Sequence, residues 1–273
     1  MYAGVDIGGT KTLVAALDDN GVITESRKFP TPRDYKHFLL ELRHSVAFLT
    51  TKKFQAAGVG MPATSLDRTH GRGLSFSNLP WRNVPMQRDV EKLLACPVVV
   101  ENDAKLGALS EAMLLKGKFS RVLYVTVSTG IGLGLVVDGH IDSNIGDAGG
   151  RLIMLEHHGK LVPWEQFASG HAIVERYGKQ AHDITDATTW RAIARDLSIG
   201  IQELIALTEP EVIVFGGSVG TYFDRYGDYL HDELAKYETP LVPLPALQAA
   251  SRPEKAVVYG CYDIARATYG TAA

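Results

Sequence analysis

Two continuous apolar runs open the chain, Tyr2-Ala3-Gly4-Val5 and Leu13-Val14-Ala15-Ala16-Leu17. Runs this short, separated by glycine and polar residues, predict buried strands joined by a turn. Asp18-Asp19-Asn20-Gly21 makes the next turn, and a third strand over 22–29 ends at Pro30 and Pro32. Over 34–53 the spacing becomes helical, with Phe38, Leu39, Leu42, Val46 and Leu49 on one face. A short buried strand over 56–61 precedes Pro62, and residues 66–79, rich in Gly and Ser, predict a loop. Residues 90–94 form the core of a helix and 97–100 a strand. Asn102-Asp103 then opens a helix over 104–115, with Asp or Asn as its N-cap.

The pattern restarts at a strand over 122–127, followed by the glycine turn Ser128-Thr129-Gly130-Ile131-Gly132, a strand over 133–137 and the turn Asp138-Gly139. Helical stretches follow over 164–177 and 190–207. A strand over 211–215 leads into Gly216-Gly217, with Ser218 as the cap of the next helix. The closing helix, 256–269, carries Val257, Cys261, Ile264 and Ala265 on one side. Two halves that each open with a glycine hairpin predict an α/β protein of two related lobes, 1–117 and 118–273, around a nucleotide cleft. The closing helix is expected to pack back on the first lobe. This geometry resembles the actin-like ATPase (ribonuclease H-like) duplicated fold.

Composition narrows the function classes. The 273 residues are 45% hydrophobic and 22% charged, as in a soluble globular protein. A net charge of −3, from 28 basic and 31 acidic side chains, gives no basic field for nucleic acid. Two cysteines, Cys96 and Cys261, make neither a disulfide framework nor a Cys-rich metal site, which fits the cytoplasm. No leader and no apolar run of membrane-spanning length is present, so no membrane partner is expected.

The chemistry gathers at the glycine turns. In Asp6-Ile7-Gly8-Gly9-Thr10-Lys11, Gly8 and Gly9 let backbone N–H groups approach a ligand. Thr10 adds a hydroxyl and Lys11 a cation. Asp6, at the strand end, suits Mg²⁺, bound directly or through water. The set fits a polyphosphate with its metal, although Gly9-Thr10-Lys11 is not the Gly-Lys-Ser/Thr of a Walker loop. Ser128, Thr129, Gly130 and Gly132 form a second candidate phosphate loop, or else the tight packing of a twisted hairpin. Gly216 and Gly217 either let adenosine or the α-phosphate lie against the backbone or make a plain strand–helix turn. Asp103, at a strand-to-helix junction, is either a simple N-cap or a general base taking the proton from an attacking hydroxyl.

In order along the chain, these segments resemble the ROK family of bacterial sugar kinases and sugar-responsive repressors. Residues 6–11 resemble its first phosphate motif, Gly58-Val59-Gly60-Met61-Pro62 its second strand and turn, and Asn78-Leu79-Pro80-Trp81 its sugar-side loop. Val99-Val100-Glu101-Asn102-Asp103-Ala104 resembles the catalytic segment, residues 128–134 the second phosphate loop, and Phe215-Gly216-Gly217 the adenosine turn. The resemblance implies Asp103 as base, sugar contacts from Asn78, Asn102, Asp103 and Glu165, and a homodimer. A repressor of the family would carry an N-terminal helix-turn-helix domain, for which this chain is expected to have no room.

The departures from the family are as specific. Pro62-Ala63 stands where the family has Pro-Gly. Ala148-Gly149-Gly150-Arg151-Leu152-Ile153 stands for its Ala-Gly-Glu-x-Gly-His, so Gly150 replaces a sugar-binding Glu and Ile153 a sugar- and zinc-binding His. The Cys-rich zinc loop is replaced by residues 156–163, without cysteine. No zinc site is expected, and His157 and His158 are either part of a replacement metal site or a solvated loop. Arg151 either faces solvent or meets an anionic group on the acceptor.

Three functions compete on these residues. The first is an ATP-dependent kinase for a hydroxyl of a hexose or amino sugar. The second is a non-catalytic sugar or nucleotide sensor with a degraded sugar site. A nucleotide-driven ATPase of the actin or heat-shock class is the third, and its large insertions have no place in this length.

Overall fold

The computed structural model describes residues 1–270, which divide into two compact units. One holds Met1–Ser110 together with the chain from Lys255 onward, and the other holds Glu111–Glu254, so the division falls inside a helix ahead of the 117/118 boundary.

In the first unit the strands are β1 (Tyr2–Ile7), β2 (Lys11–Leu17), β3 (Ile23–Pro30), β4 (Ala56–Met61), β5 (Ala63–Asp67), β6 (Arg72–Phe76), β7 (Arg82–Val84) and β8 (Val98–Asn102). The helices are α1 (Tyr35–Phe48), α2 (Met86–Leu94) and α3 (Asp103–Leu114). The main sheet runs β3-β2-β1-β4-β8, with β3-β2 and β2-β1 antiparallel and β1-β4 and β4-β8 parallel. Every residue of β4 is buried, as suits a parallel strand covered on both faces, whereas β3 exposes alternate residues at the sheet edge.

The second unit repeats this order. Its elements are β9 (Arg121–Val127), β10 (Ile131–Val137), β11 (His140–Ile141), β12 (Met154–His157), β13 (Lys160–Pro163), α4 (Trp164–Ala168), α5 (Gly170–Tyr177), α6 (Ala187–Thr208), β14 (Val212–Gly216), α7 (Gly217–Gly220), α8 (Phe223–Ala235) and β15 (Ala246–Ala249). The sheet runs β11-β10-β9-β14-β15, with two antiparallel pairs followed by two parallel ones. Trp164, Trp190, Phe215 and Tyr226 fill its core. The chain then returns to the first unit as α9 (Ala256–Tyr269), which packs on β1 and β4. Val258, Tyr262 and Ala265 join Tyr2, Leu17 and Ala56 in one buried cluster.

Five local expectations change. The 34–53 helix stops at Phe48, because Thr50 and Thr51 give their N–H and hydroxyl groups to the Glu25 carboxylate on β3. The Lys52 ammonium then caps the carbonyls of Ala47 and Leu49. The 66–79 loop is instead part of a three-stranded antiparallel sheet, β5-β6-β7. Asp67 tightens its first turn by accepting from the His70 N–H at 3.1 Å, and Phe76 and Trp81 bury its inner face. The 164–177 helix breaks at Ser169, which is extended (φ −75°, ψ 165°) and caps α5 by accepting from Ala172 N–H. Ser218 lies within α7 rather than capping it, and Gly216 takes the cap position. On α9 the buried face is Ala256, Val258, Gly260, Cys261, Tyr262 and Ala265, with Val257 and Ile264 only half-buried.

Candidate functional site

In the first unit, the parallel strands bring their carboxyl ends together. Asp6 of β1 pairs in register with Gly60 of β4, and Gly60 pairs with Glu101 of β8, one residue before Asn102. Asp103 follows directly as the first residue of α3. Substrates of open α/β sheets bind at such strand ends. Burial and the charge of Asp103 push the Asp6 carboxyl up from an ordinary 3.8 to about 7, and Lys28 pulls it the other way. Asp6 alone, a partly exposed carboxylate at this strand end beside a glycine turn, suits Mg²⁺ bound directly or through water.

The turn after Asp6 closes through Gly8 N–H to Lys11 O at 3.0 Å. Thr31 backs it from behind. Its hydroxyl donates to Gly8 O at 2.8 Å and lies 2.9 Å from the Thr12 hydroxyl, and its N–H donates to Thr10 O at 2.9 Å. Thr10 and Lys11 are exposed at the tip. Asn78 lies against the same turn, so close that a Cβ on Gly9 would sit 2.7 Å from its own Cβ. The first glycine turn, a candidate for phosphate, and the predicted sugar-side asparagine are therefore neighbours.

Asn102 takes the capping role open to either residue at the start of α3. Its Oδ1 accepts from Lys105 N–H at 3.2 Å, and its Nδ2 donates to Ala63 O at 2.9 Å. Asp103 Oδ1 accepts from Ala104 N–H at 2.8 Å.

The second unit builds the other glycine turn. Thr126 of β9 pairs in register with Gly216 of β14, the rung that Asp6 and Gly60 occupy in the first unit. Ser128 N–H donates to Gly130 O at 2.8 Å, while Gly132 lies in β10 opposite Thr126. Glu165 of α4 reaches this turn, where Oε2 accepts from Ile131 N–H at 3.0 Å and a Cβ on Gly130 would lie 2.3 Å from it. The break at Ser169 lets Gly170 N–H donate to Ser128 O at 2.7 Å.

Beside this turn is a cavity of about 260 Å³, lined by Ser128, Thr129, His171, Gln180, Ser218 and Tyr222 among others, with no carboxylate in its lining. Gly216 and Gly217 lead directly into Ser218. Polar donors without acidic groups suit an anion. Sequence reasoning missed Gln180, His182 and Tyr222 in this lining. His171 stood in a family-like stretch with no role attached, and Gln180 and His182 fall where no periodicity marks them.

The departures have structural reasons. Gly150 is buried, and a Cβ there would lie 2.8 Å from Ile131 Cβ and 3.3 Å from the Trp164 ring, so Ile131 and Trp164 fill the space of a larger residue. Ile153 packs against the hydrophobic core. Arg151 is 45% exposed, with Nε 3.9 Å from Glu165 Oε1. His157 is not in a solvated loop: its ring stacks on Phe167 at 4.1 Å, and Nε2 lies 3.4 Å from Asp196 Oδ1. Among the described residues no group of three or more His, Cys, Asp or Glu converges as metal ligands, and no helix is long and apolar enough to cross a membrane.

Comparison with known proteins agrees with this architecture. The ROK family model matches residues 2–268. A glucokinase of Streptomyces coelicolor is 29% identical over 97% of this chain and 98% of its own. An N-acetylmannosamine kinase of Escherichia coli is 28% identical over 87% of this chain and 91% of its own. Among solved structures, a ROK family glucokinase from Streptomyces griseus, in complex with glucose and AMPPNP, superposes with a TM-score of 0.82 at 26% identity, covering 97% of this chain and 99% of that one. The repeated sheet is that of the actin-like ATPase fold, and the chain belongs to the ROK family.

Proposed function

We propose that this protein is an ATP-dependent sugar kinase that transfers the γ-phosphate to a hydroxyl of a hexose or amino sugar, with Asp103 as general base. The observation that carries this reading is the strand end of the first unit, where Asp6, Asn102 and Asp103 are brought together and Asn78 borders the glycine turn. The glucokinase and N-acetylmannosamine kinase relatives support the reaction class.

Each residue then has a task. Asp103 accepts the proton of the acceptor hydroxyl as its oxygen bonds to the γ-phosphorus and the bond to the departing ADP oxygen breaks. Asn78 and Asn102 orient the acceptor. Asn102 retains an N–H beyond the one it gives to Ala63 O. Glu165 serves the acceptor from the second glycine turn. Gly8, Gly9, Thr10 and Lys11 cradle phosphate in the first unit. In the second, Ser128, Thr129, Gly130, Gly132, Gly216 and Gly217 hold the nucleotide beside the polar cavity. Mg²⁺, when bound, neutralises phosphate charge, and Asp6 is its protein ligand, directly or through water. The assembly expected is a homodimer.

One observation favours the sensor reading: Gly150 and Ile153 offer no polar group to a sugar. Asp103→Asn separates the two readings. The kinase reading expects turnover to fall ~10²–10⁴-fold, the usual cost of losing a general base, with nucleotide affinity nearly unchanged. Coupled-assay kinetics over a panel of neutral, N-acetylated and acidic sugars, with nucleotide titration on the same preparations, measure both. Normal turnover in the variant removes Asp103 from the mechanism, and wild-type protein inert on every sugar favours the sensor.

A further inference from the structure

We propose that Arg68, on the turn between β5 and β6, is a positioning residue for the proton-accepting segment, acting through Glu101. The inference rests on the kinase reading for its catalytic consequence, while its structural part stands independently.

Glu101 is a buried acid, 5% exposed, at the end of β8. Its two carboxylate oxygens are both engaged by the Arg68 guanidinium. Arg68 Nε donates to Oε2 at 2.8 Å and Nη2 donates to Oε1 at 2.5 Å. The same Oε1 accepts from Asn102 N–H at 2.7 Å. The guanidinium fork therefore fixes the carboxylate, and the carboxylate fixes the backbone one residue before Asp103. A second tie runs beside it, from Asn102 Nδ2 to Ala63 O at the start of β5. Ala63 begins β5 and Arg68 follows directly after its last residue, so this short sheet is held to the strand end at two points.

Charge makes the pairing matter. Glu101 is a buried carboxylate two residues before Asp103, and the bidentate guanidinium offsets its charge. The fork also supplies two parallel hydrogen bonds, a geometry that lysine cannot reproduce in full. Losing Arg68 would leave the buried Glu101 carboxyl without its guanidinium partner and free to rotate. The Asn102 N–H would lose its fixed acceptor, and Asp103 would lose its alignment with the acceptor hydroxyl. Misplacement of this kind lowers the rate of a positioned reaction without altering nucleotide contacts.

The test uses the full chain and four variants: Arg68→Ala, Arg68→Lys, Glu101→Gln and the double variant Arg68→Ala/Glu101→Gln. For Arg68→Ala we expect kcat to fall about 10- to 100-fold with the ATP KM within about twofold, since alignment and not nucleotide binding is lost. Arg68→Lys keeps the charge but not the fork, so its kcat should stay below wild type. If Arg68 acts through Glu101, the double variant should match Glu101→Gln alone rather than multiply the two losses. Unchanged kcat in Arg68→Ala, a rise confined to the ATP KM, or multiplied losses in the double variant would each overturn the proposal. Amide hydrogen exchange of peptides covering 101–104 reads the structural part without turnover, and Arg68→Ala should exchange faster there than wild type. Unchanged protection in that segment overturns the proposal even if no sugar is phosphorylated. A wild-type protein inactive on every acceptor but deprotected by Arg68→Ala would instead fault the kinase reading alone.

Discussion

Replacing Asp6 with Asn should make the protein more stable at pH 8, with the gain shrinking steadily as pH falls through the acid range toward 3.8. The carboxyl is held up at about 7 in the folded chain, against an ordinary 3.8, by burial and by the Asp103 charge. The folded state therefore prefers the protonated acid. The stability this acid contributes is full below pH 3.8, falls as pH rises from there through about 7, and stays lost above. The displacement is about 3 pH units, and each unit is worth about 1.4 kcal/mol, so the ceiling is about 4 kcal/mol. Asp6 keeps part of its surface exposed, and water there relaxes the penalty, so a gain of about 1–3 kcal/mol is the working figure. Asn has the same shape and no charge to bury, so the variant recovers this energy. At about 2–4 °C per kcal/mol, Tm at pH 8 should rise by about 2–12 °C. Thermal unfolding of both proteins between pH 4.5 and 8.5, without nucleotide or metal, measures the difference curve. A variant equally or less stable than wild type at pH 8, with no trend in the difference across pH, would refute the burial argument.

Thr31→Val removes the hydroxyl that donates to Gly8 O and contacts Thr12, and leaves Thr12 Oγ1 without that partner in a buried position. A loss of about 1–3 kcal/mol in denaturant unfolding and a raised ATP KM are expected, and unchanged values of both would show that the first glycine turn needs no support from behind. Gly150→Glu, which puts back the residue that the family resemblance implies, should lower stability by at least about 1–3 kcal/mol and not improve the sugar KM, because Ile131 and Trp164 occupy its space. An improved sugar KM would show that this space opens.

Much of the scaffold was legible because its strands are continuous apolar runs. The strand at 56–61 coincides with β4, and the 256–269 helix coincides with α9. The repeat of strand, glycine turn and strand announced the duplicated sheet before its order was known. What failed did so where a distant partner decides local shape. The 66–79 stretch pairs as strands because its turn is closed by Asp67 and its inner face is covered by Phe76 and Trp81, and neither is a period-2 signal. Where the 164–177 helix breaks, Gly170 N–H goes to Ser128 O, across a long stretch of sequence. The candidate site follows the same division. Asp6 and Asp103 could be read from their strand ends, whereas Arg68 sits in a stretch that looked like a loop and acquires meaning only from Glu101. His157 likewise owes its place to Phe167 and Asp196, on two other elements.

The return of α9 to the first unit sets an order for making the protein. Tyr2, Leu17 and Ala56 stay uncovered until Val258, Tyr262 and Ala265 have been translated. Between them lies the whole second unit, Glu111–Glu254, which is continuous in sequence and has its own core. At ~5–20 residues per second, translating that interval takes on the order of 7–30 s. During that time the amino-terminal sheet has one apolar face open beside the ribosome, and the later-synthesised half is free to reach its native packing first. The nascent chain is thus completed out of sequence order, and its earliest strands are the ones with most to gain from a holding chaperone.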